Sequence, residues 1–235
     1  MQVRWRDIID EINSTAERYL LGVSGGIDSM FMLDFFHRNC AVPFRVVHFN
    51  HGLRDVAADE EDFVRASCER RDLGVIVGYG DPDAMRAARS LEAEARDQRY
   101  AFMNSVRRDD ELIVTAHHAN DQLETVLMRL MRGYPSDQLR MRKRTADKYR
   151  PFLMVTRADV ETQARNRRIE WMEDESNADV AHERNWMRHV IIPQLMERRN
   201  ILKTIALQDG EDARFVLDEE DFPDVADDEI AGPAR

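Results

Sequence analysis

The chain has 235 residues with a formal net charge of −11, and it contains no apolar run of about 18 residues that could span a membrane. This length favours one sizeable α/β core with a short appendage. The N-terminus is charged and lacks the apolar core of a secretory signal. The two cysteines, Cys40 and Cys68, suggest neither a disulfide framework nor a metal clip, so a reducing, cytoplasmic location is expected.

The charge is divided unevenly along the chain. Residues 209–235 contain 11 acidic and two basic side chains, a net charge of −9, whereas residues 129–168 contain 12 basic and four acidic side chains, a net charge of +8. We expect the acidic tail, which also contains Pro and Gly, to be disordered. The basic segment is a candidate surface for nucleic acid, although a solvated charged face is the simpler alternative for either run.

Four short apolar runs in the first half of the chain predict β-strands, at residues 19–23, 45–49, 75–77 and 112–115. Helical patterns separate them, near residues 28–38, 56–71 and 89–107. Because strands and helices alternate, we expect an α/β fold with a doubly wound, mostly parallel sheet that carries helices on both faces.

The second half of the chain predicts helices. From about Asn120 the apolar side chains follow the spacing of a core-facing stripe, at Leu123, Val126, Leu127, Leu130 and Met131. Gly133 would end this helix, and a basic, turn-rich stretch follows. Thr156 with Asp159 resembles a capping box that starts another helix, and a helical region interrupted at Pro193 is expected to continue to about residue 208.

The sequence SGGIDS, residues 24–29, joins the first predicted strand to the first predicted helix. Its glycines tolerate positive φ and let backbone N–H groups approach a phosphate, and the helix N-terminus that follows attracts anions. The loop lacks the lysine of a Walker A motif and the spacing of G-x-G-x-x-G. Asp28 would repel a phosphate unless a divalent cation lay between them, which favours Mg²⁺. A strand–helix turn with a Ser or Asp cap is the alternative.

The apolar strand followed by SGGxDS resembles the PP-loop ATP pyrophosphatases, which cleave ATP between its α and β phosphates. Four further segments resemble, in order, motifs of the tRNA(Ile)-lysidine synthetases: residues 48–54 (HFNHGLR), 94–100 (EARDQRY), 116–125 (AHHANDQLET) and 173–189 (EDESNADVAHERNWMRH). The chain departs from these motifs at Asn120, where an acid is usual, and at His182, where a tyrosine is usual. The resemblance covers residues 20 to about 196.

The resemblance implies the formation of lysidine. ATP adenylates the C2 carbonyl oxygen of the wobble cytidine in the CAU-anticodon isoleucine tRNA, and the amine of free L-lysine then attacks C2 and displaces AMP. ATP is thus the expected substrate and Mg²⁺ the expected cofactor. The resemblance also implies a PP-loop nucleotide-binding domain at residues 1–150, completed by a helical region at 151–208. A short form is expected, in which this region and the tail at 209–235 replace the C-terminal domains with which many members grip tRNA.

Candidate site residues follow from the matched motifs and from the chemistry of their side chains. The predicted catalytic residues are Asp28, Asp121 and Arg96, with Mg²⁺ expected at the two carboxylates. The residues expected to contact ATP are Ser24, Gly25, Gly26, Ile27, Asp28, Ser29, His48, Asn50 and His117. The residues expected to contact tRNA or lysine are Arg54, Arg99, His118, Glu124, Arg184, Asn185 and Arg188.

Helical spacing groups several of these side chains. One set would project opposite the apolar stripe, towards the crevice at the carboxyl ends of the strands: His118, Asp121, Gln122 and Thr125. Arg96 and Arg99 share a helix face and could clamp a phosphate, although ion pairs with Glu92 or Glu94 are the alternative.

Two other functions remain open at this stage. One is a PP-loop amidoligase that acts on another RNA or on a small molecule, and the other is a non-catalytic RNA-binding homologue whose acidic tail shields the basic segment. Two scattered cysteines cannot supply the cysteine pairs, iron–sulfur cluster or zinc site of related PP-loop enzymes. A free amine is therefore the simpler second substrate. The sequence leaves the oligomeric state open.

Overall fold

The computed structural model describes residues 3–53, 56–173, 183–198 and 200–202. Within them one sheet is formed by β1 (Arg18–Gly22), β2 (Phe44–Asn50), β3 (Val75–Tyr79), β4 (Glu111–Val114) and β5 (Lys148–Tyr149). The strand order is β3-β2-β1-β4-β5, and every neighbouring pair is parallel. The chain moves outward in one direction from β1 to β3 and then crosses to the other side. This confirms the predicted α/β class, and it places a ligand crevice at the carboxyl ends of β1 and β4.

The helices of the described residues flank this sheet. Their bounds are α1 (Trp5–Ile12), α2 (Ile27–Asn39), α3 (Ala57–Glu69), α4 (Pro82–Ala87), α5 (Leu91–Val106), α6 (Ala119–Met131), α7 (Arg157–Asn166), α8 (Glu183–Trp186) and α9 (Ile192–Arg198). A 3₁₀ turn covers Ser136–Gln138, and a π-helical turn, Met187–Ile191, joins α8 to α9. None of the described helices is long and apolar enough to cross a membrane.

Helices bury the sheet on both faces, as is usual for a parallel sheet. Successive side chains of each strand point to opposite faces, so each strand contributes to both cores. On one face Leu21 packs in the main core with Phe31 and Phe36 of α2, and on the other Leu20 packs with Met103 of α5. Each fully buried side chain of this size contributes about 1.5–3 kcal/mol. The packing on both faces fixes the start of α2, and therefore the loop before it, relative to β1.

The apolar stripe predicted on α6 is core-facing only in its first part. Leu123 is buried beside Met187 and Ile192 of the segment 183–198. Leu130 and Met131 are 58% and 59% exposed, so their assignment to the core was wrong. Among the described residues, the segment 183–198 packs against the first turns of α6, and the last turn of α6 extends beyond that segment.

The predicted interruption at Pro193 takes the form of a π-helical turn. Proline lacks the N–H that an α-helix needs and clashes with the carbonyl of the preceding turn. Here Pro193 lies in the first turn of α9, directly after the π-helical residues Met187–Ile191, so the helical run widens before it and then continues. The predicted helix beyond residue 202 and the predicted tail lie outside the described residues. The proposed boundary at residue 150 stays a prediction.

Candidate active site

The loop between β1 and α2 is organised by the hydroxyl of Ser29. Its Oγ accepts hydrogen bonds from the backbone N–H groups of Ser24 (3.1 Å) and Gly25 (3.2 Å), and it donates to the carbonyl oxygen of Gly26 (2.9 Å). Gly25 has φ +95°, in the left-handed region that favours glycine. Ser29 was expected to contact ATP, and its hydroxyl here makes hydrogen bonds within the loop.

The N-terminus of α2 offers backbone donors to an anion. Gly26 is the N-cap residue and makes no side-chain cap, so the first N–H groups of this 13-residue helix have no intrahelical acceptor. A Cβ placed on Gly26 would meet only Ser24 Oγ, at 3.9 Å, so the space above the loop is open. This combination of free donors and open space suits a phosphate group.

Asp28 lies at this helix end with an unsatisfied carboxylate oxygen. Its Oδ1 is buried and accepts no hydrogen bond within the described residues. Burial raises the pKa of Asp28, and the nearby His118 opposes this rise. The imidazole Nε2 of His118 lies 3.6 Å from Asp28 Oδ1. An orphaned carboxylate oxygen in a crevice is a favourable partner for a cation.

His118 and Asp121 form the N-terminal cap of α6. The Nδ1 atom of His118 accepts the backbone N–H of Asp121 (3.3 Å), and Asp121 Oδ2 accepts the backbone N–H of His118 (2.9 Å). With Nδ1 as an acceptor, the imidazole proton lies on Nε2, the atom that faces Asp28. The cap after β4 therefore lies beside the loop after β1, as the pairing of these two parallel strands predicts.

The pKa values of the neighbouring residues Asp121 and His117 are both lowered, with opposite effects on their charge. Burial would raise the pKa of Asp121, but His118, His117 and Arg184 outweigh burial and lower it to about 2. Burial lowers the pKa of His117 to about 3, and its Nδ1 lies 2.8 Å from Thr115 Oγ1. At neutral pH the site therefore holds an ionised Asp121 beside an uncharged His117.

Glu124 and two arginines connect α6 to the segment 183–198. Arg184 Nε donates to Glu124 Oε2 (2.7 Å) and its Nη2 to Asp121 Oδ1 (3.0 Å). Arg188 Nε donates to Glu124 Oε1 (2.6 Å). Glu124 is only 1% exposed, so this is a buried charge cluster. Arg184 and Arg188 were expected to meet RNA or lysine, and here they neutralise the two carboxylates.

His48 and Asn50, expected at the ATP site, support it from β2. The carbonyl oxygen of Val23 accepts a hydrogen bond from His48 Nδ1 (2.8 Å), and burial lowers the pKa of His48. Its Nε2 is buried and accepts no hydrogen bond within the described part of the chain. The Asn50 amide donates to the carbonyl of Ala57 (3.1 Å) and accepts the N–H of Gly52 (2.9 Å). Both side chains thus order the loops that border the crevice.

Arg96 and Arg99 share one helix face, as their spacing predicts, and both lie against Tyr100. The guanidinium carbons lie 5.0 and 5.6 Å from the ring centroid, and Lys148 Nζ of β5 lies 5.0 Å from it. The alternative partner Glu94 accepts a hydrogen bond from Gln98 instead. Three cations around one aromatic ring form a positively charged wall beside β4 and β5.

Two side chains at the start of α6 have structural roles that the motif did not reveal. Asn120 Oδ1 accepts the backbone N–H of Arg157 (2.9 Å) at the start of α7, so the unusual asparagine links two helices. Gln122, which was expected to face the crevice, exchanges two hydrogen bonds with the backbone of Met141 (2.9 and 2.8 Å).

The remaining candidate residues are Asn185 and Arg54, and the expected metal is Mg²⁺. Asn185 lies on α8, beside Arg184, and Arg54 lies outside the described residues. In the described ranges no group of three or more His, Cys, Asp and Glu side chains is arranged to hold a metal ion. Asp121 lies close enough to Asp28 for its negative charge to raise the pKa of Asp28. Such a carboxylate pair fits Mg²⁺, which usually takes one or two protein carboxylates with substrate phosphates completing its shell.

Comparison with known proteins gives a consistent result. A family model described as a PP-loop domain (ATP_bind_3) matches residues 1–195. The chain is 34% identical over 184 residues to the tRNA(Ile)-lysidine synthase of Haemophilus ducreyi, covering 76% of this chain and 42% of that protein. It is 33% identical over 192 residues to that of Legionella pneumophila, covering 77% and 43%. The chain therefore spans less than half the length of these curated relatives.

A solved structure also shares the fold. The U34-tRNA thiolase NcsA from Methanococcus maripaludis matches with a TM-score of 0.68 at 13% identity, covering 86% of this chain and 76% of that one. At this identity the similarity concerns the fold alone.

Proposed function

The chain belongs to the PP-loop domain family, and on this premise we propose that it is an ATP-dependent ligase, a tRNA(Ile)-lysidine synthase. It would join lysine to C2 of the wobble cytidine in the CAU-anticodon isoleucine tRNA through an adenylated intermediate, releasing AMP and pyrophosphate. The similarity to curated lysidine synthases favours this function over the other amidoligases. The observation that carries it is the pairing of the SGGIDS loop with the His118–Asp121 cap at one edge of the sheet.

The loop would hold the pyrophosphate of ATP. The N–H groups at the start of α2 would donate to its oxygens. The hydrogen bonds of Ser29 Oγ to the backbone of Ser24 and Gly25 would hold the loop in its conformation. Because these donors are fixed before ATP binds, they stabilise the charge that develops on the leaving pyrophosphate without further reorganisation. The C2 carbonyl oxygen of the cytidine would then attack the α-phosphorus in line with this leaving group.

Mg²⁺ would be held by Asp28 and Asp121, and when bound it neutralises charge on the phosphates. The fit rests on the Asp28 Oδ1 atom that accepts no hydrogen bond, and on Asp121, whose low pKa keeps it ionised. The Nε2–H of His118 points into the same space and is a donor for the cytidine or the phosphate.

The second substrate would meet the buried charge cluster and the wall of cations. Glu124 is an acceptor for a lysine ammonium group, and the guanidinium groups of Arg184 and Arg188 are donors for a carboxylate. Arg96 and Arg99 would bind RNA or nucleotide phosphate at the opposite wall. Glu124 is already neutralised by both arginines, so lysine would have to exchange with one of these contacts.

Mass analysis of the wobble nucleoside tests the function directly. The full chain is incubated with an unmodified CAU-anticodon isoleucine tRNA transcript, ATP, Mg²⁺ and lysine. The expected product is a wobble cytidine heavier by lysine minus water, with AMP and pyrophosphate formed in equal amounts. The matched control is the same transcript with uridine at the wobble position, which should give no product.

Other results would support the competing functions. ATP-dependent product on a different RNA or small molecule would indicate another amidoligase. RNA binding without any release of pyrophosphate would indicate a non-catalytic homologue.

A further inference from the structure

A second cavity lies among α2, the end of α3 and the segment after α7. Its volume is about 220 Å³, and its charged lining residues are Arg38, Arg70, Arg71, Arg167 and Arg168 with Asp34 and Glu170. These side chains carry a net charge of +3. We call this cavity the arginine pocket. None of its residues belongs to the candidate active site.

Asp34 cannot satisfy the arginines that share it. Its side chain is 3% exposed, and Arg38 Nε contacts both carboxylate oxygens, at 3.0 and 2.9 Å. The nearest nitrogens of Arg71 and Arg167 lie farther from the carboxylate, at 3.6 and 3.5 Å. The carboxylate is therefore hydrogen-bonded to one guanidinium, through Nε of Arg38, and attracts the other two at longer range. Arg71 Nη1 donates instead to the carbonyl oxygen of Ser67 (2.8 Å).

Arg167 presents a fixed and unsatisfied donor in this pocket. Its guanidinium lies 5.9 and 5.8 Å from the ring centroids of Phe31 and Phe35. Its Nη1, the atom that lies 3.5 Å from Asp34 Oδ2, is buried and makes no hydrogen bond within the described residues. Contact with the rings limits the movement of the guanidinium, and an anion with several acceptor oxygens would satisfy the free N–H edge.

We propose that the arginine pocket binds one phosphate group of an RNA backbone, and the proposal rests on the RNA substrate proposed above. The cavity is smaller than the roughly 300–1,000 Å³ of sites for drug-sized ligands, which suits a phosphate group rather than a whole nucleotide. The side chains of Arg38 and Arg70 are 57% and 54% exposed. Together with the exposed Arg168 they form a charged rim along which an RNA strand can pass with one phosphate in the pocket.

Two connections relate the pocket to the loop of residues 24–29. The helix α2 carries Asp28 in its first turn and Asp34 six residues later, a rise of about 9 Å. From Arg168 the chain returns to the loop, where the N–H of Met172 donates to the carbonyl oxygen of Gly25 (3.0 Å). A phosphate bound in the pocket would therefore hold the RNA strand a short distance from Asp28. Such a contact positions the RNA but does not read its sequence.

Binding of the CAU-anticodon tRNA transcript to the full chain over a series of salt concentrations tests the proposal. The rim variant Arg70→Gln/Arg168→Gln leaves Asp34 with its three arginines. The second variant, Arg167→Lys, keeps the charge and removes the planar fork. The matched control is Arg4→Gln/Arg18→Gln, which makes the same charge change at surface ion pairs with Asp7 and Asp110. Thermal unfolding checks that each variant is folded.

The rim variant should weaken tRNA binding about tenfold at low salt. It should also reduce the slope of log K against log salt by about 0.7–0.9, the loss of one phosphate contact. The Arg167→Lys variant should weaken binding with little change of slope, because its charge remains. The control should keep the wild-type slope. If the rim variant and the control have the same affinity and slope, the pocket does not bind RNA.

Two further probes separate this proposal from its premise. A short uridine oligonucleotide tests the pocket without the anticodon: pocket-dependent binding of it by a chain that makes no lysidine would support the pocket and reject the lysidine synthase. Inorganic phosphate tests the other source of the same group. If it raises the melting temperature of the wild type but not of Arg167→Lys, while all variants bind RNA equally, the pocket is a site for free anions and the proposal is wrong.

Discussion

At the residue scale, the proposed metal ligand Asp28 lowers the stability of the folded protein. Burial raises the pKa of its carboxyl, which means that the ionised form destabilises the folded protein at neutral pH. Its Oδ1 also receives no hydrogen bond from the described residues. The Mg²⁺ site proposed above would account for this state, because the cation would neutralise the carboxylate when substrate phosphates complete its shell.

The Asp28→Asn substitution should separate these two effects. We expect pyrophosphate release to fall by about 10²–10³-fold, the scale of losing one preorganised electrostatic contact. The melting temperature should stay the same or rise at pH 7, because the charge that is removed disfavours folding. Steady-state kinetics and thermal unfolding measure both. Asp83→Asn on α4, where the side chain is 97% exposed, is the matched control and should change neither quantity.

Gly25 and Gly26 are neighbours with different requirements. Gly25 has φ +95°, whereas Gly26 has φ −73°, which any residue adopts. Gly25→Ala should therefore reduce the free energy of unfolding by about 1–2 kcal/mol through backbone strain. Gly26→Ala should leave stability unchanged, since its Cβ meets only Ser24 Oγ at 3.9 Å, but it should weaken ATP binding by filling the space above the loop. Thermal unfolding and ATP titration distinguish them, and equal ATP affinity in Gly26→Ala and wild type would exclude a phosphate close to this backbone.

His117 should make the folded state sensitive to acid. Its pKa is lowered from about 6.5 to about 3, so between these values the unfolded chain binds a proton that the folded chain does not. The free energy of unfolding should then fall by up to about 1.4 kcal/mol for each pH unit as the pH drops from 6.5 to 3. In His117→Gln this loss should be absent, while the exposed His37→Gln should follow the wild type. Denaturant unfolding at several pH values is the measurement, and parallel curves for His117→Gln and wild type would contradict the burial of His117.

The sequence predicted which residues meet at the site better than what each one does. Motif spacing and the shared edge of a parallel sheet correctly brought Asp28 close to His118 and Asp121. The sequence could not show that Ser29 Oγ is used inside the loop, because that depends on its three backbone contacts. Nor could it show that Arg184 binds Glu124, 60 positions away in the chain.

At the element scale, the segment 183–198 is held to α6 by two different contacts. Its apolar side chains pack with Leu123 in a small cluster that is separate from the main core. Its two arginines bind Glu124, which is almost fully buried. Three side chains of the cluster are buried and eight more pack against them, so apolar packing and charge contacts both hold this segment.

Glu124→Gln should therefore release the segment 183–198 locally. Removing one partner of a buried ion pair typically costs about 3–5 kcal/mol, because the remaining charges lose their neutralisation. Hydrogen exchange of residues 183–198 should accelerate while exchange in β1 and β4 stays slow. Glu183→Gln is the matched control: Glu183 pairs with Arg132 at the surface, and such pairs contribute at most about 1 kcal/mol. Unchanged exchange in Glu124→Gln would show that apolar packing alone holds the segment.

Elements with a strong local pattern were predicted to within two residues, and the others were missed. The strand β5 has only two residues, Lys148 and Tyr149, and it exists because β4 offers an open edge. The helix α1 buries Ile8 and Ile12, one turn apart, yet no helix was predicted in this charged stretch. The stripe of α6 failed at Leu130 because periodicity shows which side of a helix is apolar and cannot show how far its neighbours extend.

At the scale of the whole molecule, positive and negative charge lie in different parts of the chain. The described residues place basic side chains in two separate clusters, one in the arginine pocket and one around Tyr100. The net charge of the chain is nevertheless −11, of which residues 209–235 contribute −9. Such a distribution attracts a polyanion to particular surfaces while the whole chain repels it.

Removal of residues 209–235 tests whether this negative segment competes with RNA. The deletion leaves a net charge of −2, so tRNA affinity should increase at low salt, where screening is weakest. Above about 0.5 M salt the difference should disappear, since the Debye length falls towards a few ångströms. The matched control keeps the length and replaces every Asp and Glu of the segment by Asn and Gln. If charge is the cause, this control binds like the deletion; if it binds like the wild type, the effect belongs to the length of the segment. Equal affinity of all three proteins at low salt would show that the segment and the RNA do not influence each other.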